Sequence, residues 1–324
     1  AMENVNDMNN LNSMKVRTDL ALELREKVQG DCSGIRVKTR INQDDSIKTT
    51  IIDILNKRGE EALGRKKGRY ITIESAALCE PDISYHKEIC RELKLGLKSM
   101  IKDHKNVLLA GIGNRNITAD ALGPMVIDNI SPSLLCTDMA IDVSAICPGV
   151  MAQTGLETGD ILRAIVKEKK ADLLIVFDAL STLSCNRLNK TIQITDTGIN
   201  PGAGVGNNRS EISSKTMGTD VIAVGVPTVI AVPALLSDSI DRLLNILDGE
   251  MTDRNISNGK AHNDRNEGHI TFTENEKLGI ASMAVPEELA EFFVTPKNVD
   301  EIVKTISFTI SEAINDIFTP EHIE

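Results

Sequence analysis

Val107-Leu108-Leu109-Ala110-Gly111-Ile112-Gly113-Asn114 and Leu173-Leu174-Ile175-Val176-Phe177-Asp178 are the two stretches that decide the fold. Short unbroken apolar runs bounded by Gly, Asn or Asp are the mark of strands buried on both faces, as in a parallel sheet covered by helices. The first run leads through Asn114 to Asp120-Ala121-Leu122-Gly123-Pro124, and the second ends directly in Asp178. In open α/β sheets the ligand crevice lies outside the carboxyl ends of the strands. A carboxylate there is free to do chemistry, whereas an unpaired one inside the strand is costly to bury. Two carboxylates at one such edge could share a proton and divide the roles of acid and base.

Outward from these runs, strand and helix alternate. Helical spacing covers 16–28, with Thr18 or Asp19 as its cap, and strands are expected at 35–41, 47–55 and 70–74. A turn at Asn56-Lys57-Arg58-Gly59 and a short helix over 60–63 separate the last two strands. A helix over 83–104, strand 106–113, helix 120–130, short strands near 134–146, helix 156–168, strand 172–177 and a helix or loop at 181–189 follow. Strands at 191–195 and 221–226 enclose a Gly-rich loop, Ser237 opens a helix to Leu247, and the tail from 298 to 317 is helical. The pattern predicts an α/β fold: a mainly parallel twisted sheet with helices on both faces, plus smaller antiparallel β elements. Residues 1–15 read as unstructured and 248–276 as a polar surface excursion. No internal repeat or linker divides the remainder.

Composition narrows the function classes. The chain has 324 residues, 2% aromatics, no Trp and a formal net charge of −11. An aliphatic core follows, and neither stacking platforms nor a basic footprint for nucleic acid is present, so direct nucleic-acid binding is not expected. Six cysteines stand without a CxxC and five histidines without ligand spacing, so reduced thiols, no zinc and no cofactor are expected. No signal core or membrane-length apolar run occurs. A cytoplasmic protein without membrane partners is the expectation.

Several residues compete for the chemistry. Asp120 could cap the following helix instead of reacting. Asp178, after five apolar residues, must find partners or suffer desolvation. Asp196-Thr197-Gly198 matches the pepsin-type loop as a string, but such lobes are all-β and need two copies. It reads as a turn. The loop Pro201-Gly202-Ala203-Gly204-Val205-Gly206-Asn207-Asn208-Arg209 could cradle an anion or nucleotide, or clasp an extended peptide through its main chain. Ser181, Ser184 and Cys185 follow Asp178 closely, with no histidine nearby and no GxSxG, so nucleophilic catalysis is a minor alternative.

Taken in order, 111–124 (GIGNRNITADALGP), Pro148-Gly149-Val150-Met151, 176–179 (VFDA), 192–209 (IQITDTGINPGAGVGNNR) and 222–229 (IAVGVPTV) make the chain similar to the germination proteases of endospore-forming bacteria. The resemblance runs from Val16-Arg17-Thr18-Asp19-Leu20-Ala21 to the terminal helix after Val294-Thr295-Pro296-Lys297. It implies an atypical aspartic endopeptidase that degrades small acid-soluble spore proteins in the spore core, forms homotetramers and is made as a self-processing zymogen. Its essential aspartates fall on Asp120 and Asp178. The related hydrogenase-maturation endopeptidases hold a metal with acidic residues and a histidine; no histidine lies in these motifs, so no metal is carried over. A metal-dependent maturation-type endopeptidase stays as the alternative. Spore-protein cleavage sites resemble Thr-Glu, an apolar residue, Ala, any residue, Glu, and Thr18-Asp19-Leu20-Ala21-Leu22-Glu23 follows that pattern with Asp for Glu. Cleavage between Asp19 and Leu20 is therefore expected, with 1–19 as propeptide and 20–324 as one α/β peptidase domain. Recognition of acids around the cut calls for a cation or a main-chain clasp, for which Arg115, Arg187, Arg209 and Gly204 are candidates.

Overall fold

The computed structural model describes residues 18–28, 33–44, 46–135, 141–206, 209–240, 242–243, 246, 280–281 and 283–319. The expectations for 1–15 and 248–276 lie outside these. The chain divides into two compact units, a larger one of 17–182, 186–229 and 295–324, and a smaller one of 1–16, 183–185 and 230–294.

The larger unit is built on strands β1 (Ile35–Ile41), β2 (Lys48–Ile54), β3 (Gly68–Glu74), β4 (Asn106–Gly111), β5 (Asp142–Ile146), β6 (Leu173–Thr182), β7 (Thr191–Thr195) and β8 (Asp220–Ala231, whose last two residues belong to the smaller unit). Their order across the sheet is β1-β2-β3-β7-β8-β6-β4-β5. β4 lies parallel between β5 and β6, with Leu109 facing Ala145 on one side and Ile175 on the other. The β1-β2, β2-β3, β3-β7 and β7-β8 ladders are antiparallel. The expected α/β class holds, and the antiparallel pieces extend the parallel core as one continuous sheet. β1 and β2, joined by a short turn, pair antiparallel, whereas β4 and β6 are connected by the long crossover that parallel strands require.

Period two explains the apolar runs. Val107, Leu109, Leu173, Ile175 and Phe177 face one side, where they pack with helices α3 (Lys87–Lys98), α4 (Leu122–Asp128) and α6 (Val299–Phe318). Leu108, Ala110, Ile112, Leu174 and Val176 face the other, against Leu162 and Val166 of α5 (Thr158–Lys169). Both faces are covered, so no polar residue interrupts the runs Val107–Ile112 and Leu173–Phe177. A third cluster joins Ala21 and Leu22 of α1 (Ala21–Lys27) to Ile52, Ile54, Tyr70 and Leu63, the last in α2 (Lys57–Leu63).

Several boundaries differ from the sequence reading. α1 starts at Ala21 with neither Thr18 nor Asp19 as cap, because the backbone is extended at Leu20 and the Thr18 hydroxyl accepts the Leu20 N–H instead, at 3.0 Å. Residues 56–59 are not a turn: the Asn56 side chain accepts the Gly59 N–H at 3.1 Å and starts α2. β6 does not stop at Asp178 but runs to Thr182, so the expected helix or loop begins later. In the smaller unit a helix already occupies 232–240, with Ser237 buried within it, not at its cap. There Phe293–Val294 (β9) pairs antiparallel with Ile230–Ala231. No helix among the described residues is long and apolar enough to cross a membrane.

Candidate active site

The chain leaving β4 is folded back on itself so that Asp120 returns to the strand end. The Ile112 N–H donates to Phe177 O at 2.8 Å, which carries the β4-β6 ladder past its last paired residues. Gly113 then takes φ +120, and a Cβ there would lie 1.9 Å from the carbonyl oxygen of Asp120. Only glycine permits both the turn and that approach. The Asp120 carboxylate accepts the Asn114 N–H at 2.7 Å and closes the 114–120 loop. Asp120 is therefore not a helix cap: the cap position of α4 is Ala121, which makes no side-chain capping bond. Gly123 in the first turn of α4 lets the helix sit directly on backbone, since a Cβ would meet Ile112 O at 2.3 Å and Phe177 O at 2.4 Å.

Asp178 directly follows Phe177, whose partner Gly111 ends β4. It is 4% exposed and accepts the Ala179 N–H at 2.9 Å. Asp178 and Asp120 line one cavity of about 430 Å³, together with Asp19, Ser181 and Arg209. Burial lifts the Asp178 carboxyl well above the ordinary carboxylate range, and the charges of Asp120 and Asp19 lift it further, against the Ala179 N–H and Arg209. Burial also raises Asp120, opposed by the Asn114 N–H and the charge of Arg209. Asp178 carries the stronger push, as the more buried of two carboxyls that repel each other's charge.

The segment 18–23 is held against the same cavity. The Asp19 carboxylate accepts the Ser181 N–H at 2.9 Å and the Ser181 hydroxyl at 3.3 Å. Burial raises the Asp19 carboxyl, opposed by the Ser181 N–H, the nearby charge of Arg65 and the Ser181 hydroxyl. Gln193 grips the backbone on both sides of the Asp19–Leu20 bond: its Nε2 donates to Asp19 O at 3.0 Å and its Oε1 accepts the Ala21 N–H at 2.8 Å. Arg65 donates to Thr18 O at 2.6 Å. Glu23, 3% exposed, accepts from the hydroxyls of Thr182 and Thr18. Leu20 and Ala21 have no exposed surface.

The arginines separate. Arg209 lines the cavity. Arg187 bonds Glu26 and Glu74 and lies 3.8 Å from Glu23, the second acid of the 18–23 segment. Arg115 pairs with Asp128 on the surface and is not part of the cavity wall. In the Gly-rich loop, Gly204 packs against the Asp19 carboxylate: a Cβ there would lie 2.1 Å from Asp19 Oδ2. Asp196 accepts the Arg69 N–H at 2.7 Å, and Gly198 takes φ +85, as a turn requires. The Cys185 thiol is pushed up to about 11 by burial and the nearby Asp238 charge, the reverse of what a nucleophile needs. No group of three or more His, Cys, Asp or Glu side chains suited to a metal occurs among the described residues. The spacing of motifs missed Arg65 and Gln193. Gln193 had a signal, as the one amide in the buried strand Thr191–Thr195; Arg65 had none.

The sequence pattern of the germination protease family matches residues 11–288. The chain is 36% identical over 316 residues to a germination protease of Caldanaerobacter subterraneus subsp. tengcongensis, covering 94% of each. It is 38% identical over 324 residues to that of Clostridium acetobutylicum, covering 94% of this chain and 95% of the relative. Against that of Priestia megaterium it is 38% identical over 290 residues, 83% of this chain and 76% of the relative. Among solved structures, a NiFe hydrogenase maturation protease from Thermococcus kodakarensis is 19% identical, covering 41% of this chain and 80% of the other, with a TM-score of 0.31.

Proposed function

The chain belongs to the germination protease family, whose activity is proteolytic, and from that premise we propose that it is an aspartic endopeptidase in which Asp120 and Asp178 share the work on a water molecule. The observation that carries the reading is a single cavity lined by Asp120, Asp178 and Asp19, with the Asp19–Leu20 bond held beside it by Gln193.

The environments divide the roles. Asp178, more buried and repelled by two neighbouring charges, is the protonated member. Asp120, eased by the Asn114 N–H and Arg209, is the ionised one. Asp120 takes a proton from water as the water oxygen attacks the peptide carbonyl carbon. Asp178 gives its proton to the carbonyl oxygen, and the C–N bond then breaks with a proton passing to the leaving nitrogen. The pair titrates as a unit.

On this reading residues 1–19 are a propeptide, cut off by the enzyme itself between Asp19 and Leu20, and 20–324 form the peptidase domain. Small acid-soluble spore proteins are the substrates, in the cytoplasm of the spore core, and the working form is a homotetramer. Arg187, beside Glu23, is the cation for the acid four residues beyond the cut. The test is Asp120→Asn and Asp178→Asn in the full-length chain, with the products of incubation followed by mass spectrometry. Each variant is expected to retain residues 1–19; self-processing at the parental rate in either one refutes the pair.

A further inference from the structure

The grip on Asp19 has the form of a receptor. Two donors converge on its carboxylate, the Ser181 N–H and the Ser181 hydroxyl, with the Arg65 guanidinium supplying charge. One of the two is a main-chain group, whose position is set by the fold and not by a side-chain rotamer. Ser181 lies on β6 itself, the strand that carries Asp178. The receptor is therefore at a set distance along one rigid element from a catalytic carboxyl.

Gly204 strengthens the case. Its φ is outside the left-handed region, so its backbone conformation is open to other residues. What excludes a side chain there is space: a Cβ would lie 2.1 Å from both Asp19 Oδ2 and Ser181 Oγ. The glycine is kept for the room a carboxylate takes. Gln193, by contrast, binds only backbone on either side of the bond and reads no side chain.

We propose that Ser181, Gly204 and Arg65 form the specificity pocket for an acidic side chain immediately before the scissile bond, which Asp19 fills in this chain and which substrate Glu or Asp fills after Asp19 has left. The proposal rests on Asp120 and Asp178 as the catalytic pair. It names residues that catalysis alone does not require. An amide in place of the acid presents an NH2 group to donors that need an acceptor, and it loses the attraction of Arg65. Hydrogen bonds to charged groups are the strong ones, so Gln in place of Glu is expected to lower kcat/KM about 10- to 100-fold.

The experiment uses the self-processed enzyme and three peptides, Thr-Glu-Ile-Ala-Ser-Glu and its versions with Gln or Ala in place of the first Glu, with cut positions read by mass spectrometry. The parent is expected to prefer Glu over Gln by that factor. Gly204→Ala puts a methyl where the acid sits, so the Glu-over-Ala ratio is expected to collapse. Arg65→Met leaves the space but removes the charge and is expected to lower the Glu-over-Gln ratio about tenfold, which keeps the test intact if Gly204→Ala does not fold. Equal cutting of the Glu and Gln peptides by the parent overturns the pocket while leaving the catalytic pair standing. So does an unchanged preference in both folded variants. A parent that cuts none of the three overturns the catalytic reading, and the pocket with it.

Discussion

Replacing Gly123 by Ala tests how the fold positions Asp120. A Cβ at this position would stand 2.3 Å from Ile112 O, 2.4 Å from Phe177 O and 2.5 Å from Ile112 N, where ordinary contact begins at 3.4 Å. All three neighbours are backbone atoms, of β6 and of the residue after β4, which cannot swing aside as a long side chain does. Relief requires the start of α4 to retreat by about 1 Å, the shortfall between 3.4 and 2.3. Asp120 is in the turn just ahead of that helix and retreats with it. Overpacking of this kind costs about 1–3 kcal/mol of stability. A 1 Å misplacement of a reacting group costs on the order of 100-fold in rate. The assay is twofold: urea unfolding for stability, and the rate of Asp19–Leu20 cleavage for function. Gly218→Ala is the control, since it has φ +74 but nothing within 4 Å of a new Cβ. It is expected to lose about 1–2 kcal/mol from left-handed strain and to cleave normally. If folded Gly123→Ala cleaves within about threefold of the parent, the argument that this glycine positions Asp120 is wrong.

Three further outcomes are expected. Asp178 has a folded-state pKa raised above its ordinary 3.8 by burial and by two neighbouring charges, so its contribution to stability is complete below the unfolded value and is lost as pH rises through the folded one. Asp178→Asn removes that loss. The variant should resist urea better than the parent at neutral pH, with the gap closing toward pH 3; a gap independent of pH in matched melts contradicts this. Cleavage itself should fall on the alkaline side as Asp178 gives up its proton and on the acid side as Asp120 gains one. A kcat/KM profile flat across the carboxylate range would rule out the pair. Arg187→Met takes the guanidinium from Glu23 and Glu74, with side chains 3% and 19% exposed, and leaves Glu74 only the Lys48 ammonium at 3.2 Å. With the partial exposure of Glu26 discounted, roughly 3 kcal/mol should be lost, and denaturant melts showing less than about 1 kcal/mol would refute the coupling.

The two apolar runs were legible because each strand residue is buried on one face or the other, a condition that local sequence expresses fully. Val107 and Leu108 go to opposite cores, yet both must be aliphatic. The end of β6 was not legible. The residues after Asp178 are no longer opposite β4, and β6 continues to Thr182 beside β8, a neighbour that local patterning does not name. Asp120 illustrates a different failure. Its composition suits a cap, but the N–H it meets is that of Asn114 behind it and not one in the helix ahead. Thr18 likewise caps no N–H of α1: its hydroxyl accepts from Leu20 ahead of the helix and donates to the Glu23 side chain.

The order of amino acids by itself determined the wound sheet, the covering helices and the acid-flanked bond at Asp19–Leu20, since periodicity and short motifs are properties of neighbouring residues. Only tertiary structure decided that Asp19, Asp120 and Asp178 line one cavity, that Gln193 spans the bond and that Arg65 stands near the Asp19 carboxylate. It also decided which carboxyl is pushed further above the ordinary range. Burial and the charges of groups distant in the chain set that balance, and neither exists until the chain is folded.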